Sequence, residues 1–234
     1  MLSARVLALV RRRFLIALLP LAIYASACGG GGAKSNGEAK KPAAQVVKDA
    51  QQAALAAKGV HVTGHIIDNG VPLSLDLHLG RDRGRGRMSE AKLAFEIERI
   101  GDKIYLRGSE AFLRRFAGAA VATLLRDKWL QGSATSGSLA ALAPLADARQ
   151  LFKTALGSHG TLANNGETTY KGQTAVAIKD MTQGGTLYVA ATGTPYPIAL
   201  RGGKEQGSLA FDSWDESVTV TAPKGAIDIS KLGG

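Results

Sequence analysis

Apolar and polar residues alternate most regularly in VPLSLDLHLG at residues 71–80. Val71, Leu73, Leu75, Leu77 and Leu79 fall on one side, and Ser74, Asp76 and His78 on the other. A period of two over this length predicts a strand with one dry face and one wet face. Such strands belong to antiparallel sheets covered on one side only. VHVTGHIID follows the same rule, with Val60, Val62 and Ile66 opposite His61, Thr63 and His65, and Asp68-Asn69-Gly70 signals a hairpin. RDRGRGRMS turns and starts a third strand, and KLAFEIERIG alternates around Leu93, Phe95 and Ile97. Gly101-Asp102 leads into KIYLRG. The last third repeats the theme. TLANN, GETTY, TAVAIKD, TLYVAA, PIALRG, SLAFDSW and SVTVTA are separated by turn signals, among them Asn165-Gly166, Lys171-Gly172 and Gly202-Gly203. This predicts a meander of short antiparallel strands.

Helical spacing is confined to three stretches. In residues 42–58, Val46, Ala50, Ala53, Ala54 and Ala57 share a face between Pro42, which suits a first turn, and Gly59, which ends the helix. A second helix is expected over residues 109–125 behind Ser109 as N-cap, and a third over residues 138–156 on both sides of Pro144. The fold class expected is therefore α+β: a large curved antiparallel sheet whose helices bury their apolar faces on its concave side.

Residues 1–27 stand apart. Arg5, Arg11, Arg12 and Arg13 are their only charges, and a short apolar run ends in Ala25, Ser26 and Ala27. A basic head, an apolar body and a small-residue exit describe a signal peptide. The body is too short for a membrane span, which takes roughly 20 apolar residues. Cys28, the sole cysteine, follows directly. Residues 28–41, rich in glycine and polar residues, read as a tether reaching roughly 20 Å, and residues 42–234 as one domain. The formal charge of +10 falls to +6 without the four leader arginines. That suits an anionic membrane surface or wall polymer, and an exported chain has no call for nucleic acid.

Candidate chemistry is sparse. His61 and His65 share a strand face with Thr63, and His78 lies on the neighbouring strand, but no acid sits beside them at a useful spacing, and this is the wet face. They read as solvated, and no metal or other cofactor is expected. Ser89-Glu90-Ala91-Lys92 spells S-x-x-K without its S-D-N and K-T-G companions. No catalytic constellation emerges, so an enzyme is not expected. Arg81, Arg83, Arg85 and Arg87 share one face if extended, suited either to anionic headgroups or to guarding a sheet edge. Trp129 and Trp214 fit either a cavity rim or the core.

Ala25-Ser26-Ala27-Cys28 resembles the lipobox of bacterial lipoproteins, with Ala25 where leucine is usual. The rest of the chain resembles the LppX/LprAFG lipoproteins of actinobacteria, within the wider LolA/LolB-like fold. The resemblance is carried by the 42–58 helix, by GDKIYLRGSEAF at 101–112 and by KWLQ at 128–131. It is also carried by GTLYVAATGTPYPIALRGG at 185–203 and GSLAFDSWDESVTVTAPKGAIDISKL at 207–232. It implies acylation of Cys28, anchorage on the outer side of the cell membrane, and an unclosed β half-barrel with helices over its concave face. It further implies an apolar cavity that binds acyl chains of a lipid or glycolipid and moves them in the envelope, without catalysis. The expected lining is Leu73, Leu75, Leu77, Phe95, Ile97, Val176, Ile178, Leu187, Val189, Ile198 and Leu200. Periodicity alone fits equally a solid core, and with it a lipoprotein that binds a protein or wall polymer.

Overall fold

The computed structural model describes residues 34–231 except Asn69 and residues 204–206. The expected leader at 1–27 and Cys28 lie outside the described residues.

Twelve strands form one open sheet. Chain order runs α1 (Ala43–Ala56), β1 (Gly59–Asp68), β2 (Val71–Gly80), β3 (Arg83–Glu90), β4 (Leu93–Ile100), β5 (Lys103–Gly108), α2 (Glu110–Ala117), α3 (Ala119–Leu125) and β6 (Leu130–Ser133). A 3-10 segment at Ala140–Ala146 leads to α4 (Ala148–Gly157), β7 (Leu162–Tyr170), β8 (Gln173–Asp180), β9 (Gly185–Ala190), β10 (Pro197–Arg201), β11 (Gly207–Asp212) and β12 (Ile227–Asp228). In space the order is β12-β6-β5-β4-β3-β2-β1-β11-β10-β9-β8-β7. Two meanders, β1–β6 and β7–β11, meet at a single seam where β1 pairs antiparallel with β11. β12–β6 is the one parallel pairing among the described residues. The fold is thus α+β with an unclosed half-barrel, as expected.

The alternation in β1 and β2 is realised except at the start of β2, where Val71, expected on the dry side, is exposed. Leu75, Leu77 and Leu79 are buried while Ser74 and Asp76 are exposed, and Val62 faces Leu77 across the pair. Two apolar cores fill the concave side. One packs α1 and α4 on β1, β2 and β8–β11, with Phe152 wholly buried at its centre. The other packs α2, α3 and the 3-10 segment on β4–β6. Asp147 joins the layers: it caps α4 through the N–H groups of Arg149 and Gln150, and its Oδ2 takes a 2.6 Å hydrogen bond from Arg99 on β4.

Several expectations are corrected. The 109–125 helix breaks at Gly118 (φ +86°) into α2 and α3. Asn165-Gly166 is a bulge inside β7 and does not separate two strands. The bulge frees the Asn164 side chain, which donates to the carbonyl of Lys41 at 2.8 Å. Residues 35–41, expected in the tether, are docked. Ser35 bridges Thr192, Asn36 donates to the Ala190 carbonyl, and Glu38 is buried with its carboxylate on Lys41. Any free tether ends before Ser35. SVTVTA at 217–222 joins no strand and forms part of an extended strap between β11 and β12. Trp214 belongs to the core, stacked on Tyr196 at 4.5 Å and touching Phe152, while Trp129 lies under the Arg107 guanidinium.

The RGRGR pattern has a packing cause. A Cβ on Gly84 would come within 2.8 Å of the Ala146 carbonyl, and one on Gly86 within 2.5 Å of the Asp76 carbonyl and 2.4 Å of Leu77 Cδ2. The glycines let β2 and the 3-10 segment close over the inner face, and the arginines point the other way. Gly86→Ala is therefore expected to cost about 1–3 kcal/mol, the range for forced overpacking. Urea denaturation should show the loss, whereas Gly101→Asn, in open space at φ +58°, should show little.

Candidate functional site: an apolar cavity under the helical roof

The two cores do not meet completely. Between them lies a cavity of about 640 Å³. Its floor is Leu73 of β2, Met88 of β3, Phe95 of β4 and Leu106 of β5; its roof is Phe112 and Leu113 of α2, Val121 and Leu125 of α3, Leu142 and Leu145 of the 3-10 segment, and Leu139 just before it. Ser89, Glu90 and Ser138 are the only polar residues among the described lining. The roof helices α2 and α3 are short, with 8 and 7 residues, and Gly118 at φ +86° separates them. Ser109 starts α2, its Oγ accepting from the Phe112 N–H and from the Ala94 N–H of β4. That bond pins the roof to the sheet at one point. Phe95 and Phe112 then touch across the cavity wall with ring centroids 4.9 Å apart. On α3, Leu124 is 74% exposed beside the lining residues Val121 and Leu125.

A volume of this size is typical of small-molecule pockets, which run about 300–1,000 Å³ and are mostly apolar. Well-packed interiors leave few voids larger than a water molecule. An apolar lining holds water poorly, so the space suits hydrocarbon. A second, smaller cavity of about 240 Å³ lies under α4, lined by Val47, Leu156, Ile178, Leu187, Leu200 and Leu209. Its polar residues include His159, Asp180 and Arg201.

The expected lining divides three ways. Leu73 and Phe95 line the large cavity, and Ile178, Leu187 and Leu200 the small one. Leu75, Leu77, Ile97, Val176 and Val189 face inward but are 0–6% exposed and packed in the cores. Ile198 sits where the β10–β9 register shifts, between Pro197 and Ala199, and joins neither core. The residues that roof the large cavity were not foreseen. Their signal was present in the apolar face of residues 109–125 and in LAALAPL at 139–145, but nothing in that pattern fixes how closely the roof approaches the floor.

The four arginines do not serve the cavity. Arg81 lies in the β2–β3 turn and donates to the Ala56 carbonyl; Arg83, Arg85 and Arg87 stand exposed on the outer face. There they meet a ladder of charge, Arg85 opposite His78 and Glu98, and Arg87 opposite Asp76 and Glu96. A headgroup attached to a chain in the cavity would be on the other side of the sheet. Glu98 is the strained member of this ladder. One carboxylate oxygen is buried with no hydrogen-bond partner among the described residues, and burial raises its pKa against the opposing pull of Arg85. Ser89 of the S-x-x-K lies on β3 and Lys92 beyond its end, so the motif does not open a helix.

No model of a known protein family matches this chain, and no curated protein does. Solved structures do. LprF from Mycobacterium bovis matches with a TM-score of 0.53 at 15% identity, covering 78% of this chain and 97% of LprF. The lipoprotein LppX of Mycobacterium tuberculosis gives 0.49 at 16% identity, over 76% and 98% of the two chains. An uncharacterized conserved protein from Thermus thermophilus gives 0.39 at 10%, over 80% and 98%. The likeness to LprF shows that the fold is of that type.

Two measurements probe these surfaces. Leu73→Trp should fill cavity space and leave the Tm nearly unchanged, whereas Leu75→Trp should overpack the core, cost about 1–3 kcal/mol and lower the Tm by several degrees. Equal losses would mean that no hollow exists. For Glu98, the folded-state pKa lies above the ordinary 4.5. Its contribution to stability is then full below that value and lost as pH rises through the folded pKa. Glu98→Gln should raise the Tm at pH 7 and make no difference near pH 4.

Proposed function

We propose that this protein is an exported, lipid-anchored, non-catalytic carrier that holds the acyl chains of a lipid or glycolipid in the cavity beneath α2 and α3. The observation that carries the reading is the 640 Å³ apolar space with three polar residues in its described lining. Binding there is desolvation: each methylene taken from water contributes about 0.8 kcal/mol, so long chains bind tightly with little dependence on headgroup. The same physics gives no means of bond cleavage.

The leader at 1–27, acylation of Cys28 and the short stretch before Ser35 belong to the same proposal. Two or three acyl chains on Cys28 would hold the domain at the outer surface of the cell membrane. With residues 35–41 docked on the sheet, the domain would sit close to the headgroups, a short transfer distance for a hydrophobic cargo.

Mass spectrometry of the full chain, purified in mild detergent, tests both parts. Native conditions should release one co-purifying lipid per chain, and digestion should yield a peptide beginning at acylated Cys28. Leu73→Trp should lower uptake of a fluorescent acyl probe at least several-fold with the fold intact. If the wild type neither carries lipid nor takes up the probe, the carrier reading fails, and a lipoprotein that binds a protein or wall polymer takes its place.

A further inference from the structure

The outer face of the sheet carries a cluster that lipid binding does not use. Register places Asp212 of β11, His61 of β1 and His78 of β2 in one row across three strands. Asp76 lies two residues from His78 on the same face. His61 Nδ1 is 2.9 Å from an Asp212 oxygen, and its Nε2 is 2.9 Å from Asp76 Oδ1. His78 Nε2 is 4.0 Å from the same Asp76 oxygen, and the two imidazoles lie parallel at 4.3 Å. One ligand atom from each of His61, Asp76 and His78 falls within 4.8 Å of the others.

We propose that His61 Nε2, His78 Nε2 and the Asp76 carboxylate form a binding site for a divalent transition-metal ion, zinc by its donor set. Two imidazoles and a carboxylate are a common three-ligand set for zinc, which imposes no rigid geometry. Asp212 completes it. By accepting from Nδ1–H of His61, it fixes the tautomer that leaves Nε2 free for the metal, the usual carboxylate–histidine–metal arrangement. Zinc takes the place of the 2.9 Å contact between His61 Nε2 and Asp76 Oδ1.

An ion-pair network explains the cluster less well. A single imidazolium between Asp76 and Asp212 would satisfy both carboxylates. A second histidine stacked on it adds like charge if protonated and nothing to the pair if neutral. As a neutral ligand, His78 has a purpose. Bonds of about 2.0–2.1 Å bring tetrahedral ligand atoms to roughly 3.3 Å apart. The approach from 4.8 Å requires the His78 ring to turn out of the stack, and His78 is partly exposed and free to do so. His61 and His78 border a hollow of about 250 Å³ beside the strap, whose other polar residues are Arg85, Ser213, Glu216, Ser217 and Thr219. Water or a hydroxyl fits there. Asp76 and Asp212 balance the ion; the cations nearest it are Arg85, opposite His78 and Glu98, and Arg87, opposite Asp76 and Glu96.

Zinc titration of the full chain carrying Cys28→Ser, which removes the only thiol, tests the site. Calorimetry should give one zinc per chain. His78→Gln and Asp76→Asn should each weaken binding at least tenfold, and Asp212→Asn about 10–100-fold, the usual effect of losing such an orienting partner. His65→Ala and His159→Ala should change nothing. Cobalt substituted for zinc should show the visible absorption of a tetrahedral site, lost in His78→Gln. Circular dichroism of each variant separates lost binding from lost fold. Zinc binding that survives His78→Gln, exceeds one ion per chain, or falls equally with His65→Ala would overturn the proposal and mark the binding as adventitious.

Discussion

A curved sheet with one dry face must bury that face, and everything else in this molecule follows from how completely its helices do so. Over β7–β11 the cover is closer, leaving only the small cavity under α4. α1 presents Ala43, Ala50 and Ala54, whose small side chains let the helix approach closely, and Phe152 of α4 fills the centre. Over β3–β6 the cover is an arch. α2 and α3 meet at Gly118, the 3-10 segment bends at Pro144, and the side chains of roof and floor do not reach each other everywhere. One half of the domain is the more fully packed core, with only the small cavity under α4, and supplies stability. The other half holds the larger hollow, which the packed half can support.

The division explains what was legible in the sequence. Strand alternation in β1, β2 and β4 was plain, because period two survives wherever one face is dry. It identified inward-facing residues such as Leu77 and Val176 but could not sort packed positions from lining ones. Leu73 and Leu75 belong to the same stripe, yet one borders empty space and the other does not. That difference is made by the roof, in chain far from the stripe.

Non-local pairing hid the rest. His61 lies 15 residues from Asp76 and 151 from Asp212, so no motif could show that acids flank it. Asn165-Gly166 carries a hairpin signature, but Asn164 is occupied in holding residues 39–41, and the local preference yields to a bulge. SVTVTA has strand composition without a strand, because β11 already pairs with β1 and no edge remains beside it. Alternate glycines between arginines looked like charge patterning; the inner face shows that the glycines, more than the arginines, are required there.

The seam between β1 and β11 has a kinetic consequence. Each meander pairs sequence neighbours, through short turns except where α2 and α3 join β5 to β6, whereas the seam joins residues about 150 positions apart. Closing so long a loop carries an entropic cost before any contact offsets it, and such topologies fold slowly. Until the seam forms, β1 and β11 each present an open edge with unpaired backbone groups, the usual starting point of misassembly. Gly64 of β1 passes so close to the Ser208 carbonyl that a Cβ would lie at 2.1 Å, so the two halves lock only when their registers agree. The folding barrier of this protein therefore belongs to the joining of two preformed halves, and the strap to β12 then ties the second half back across the first.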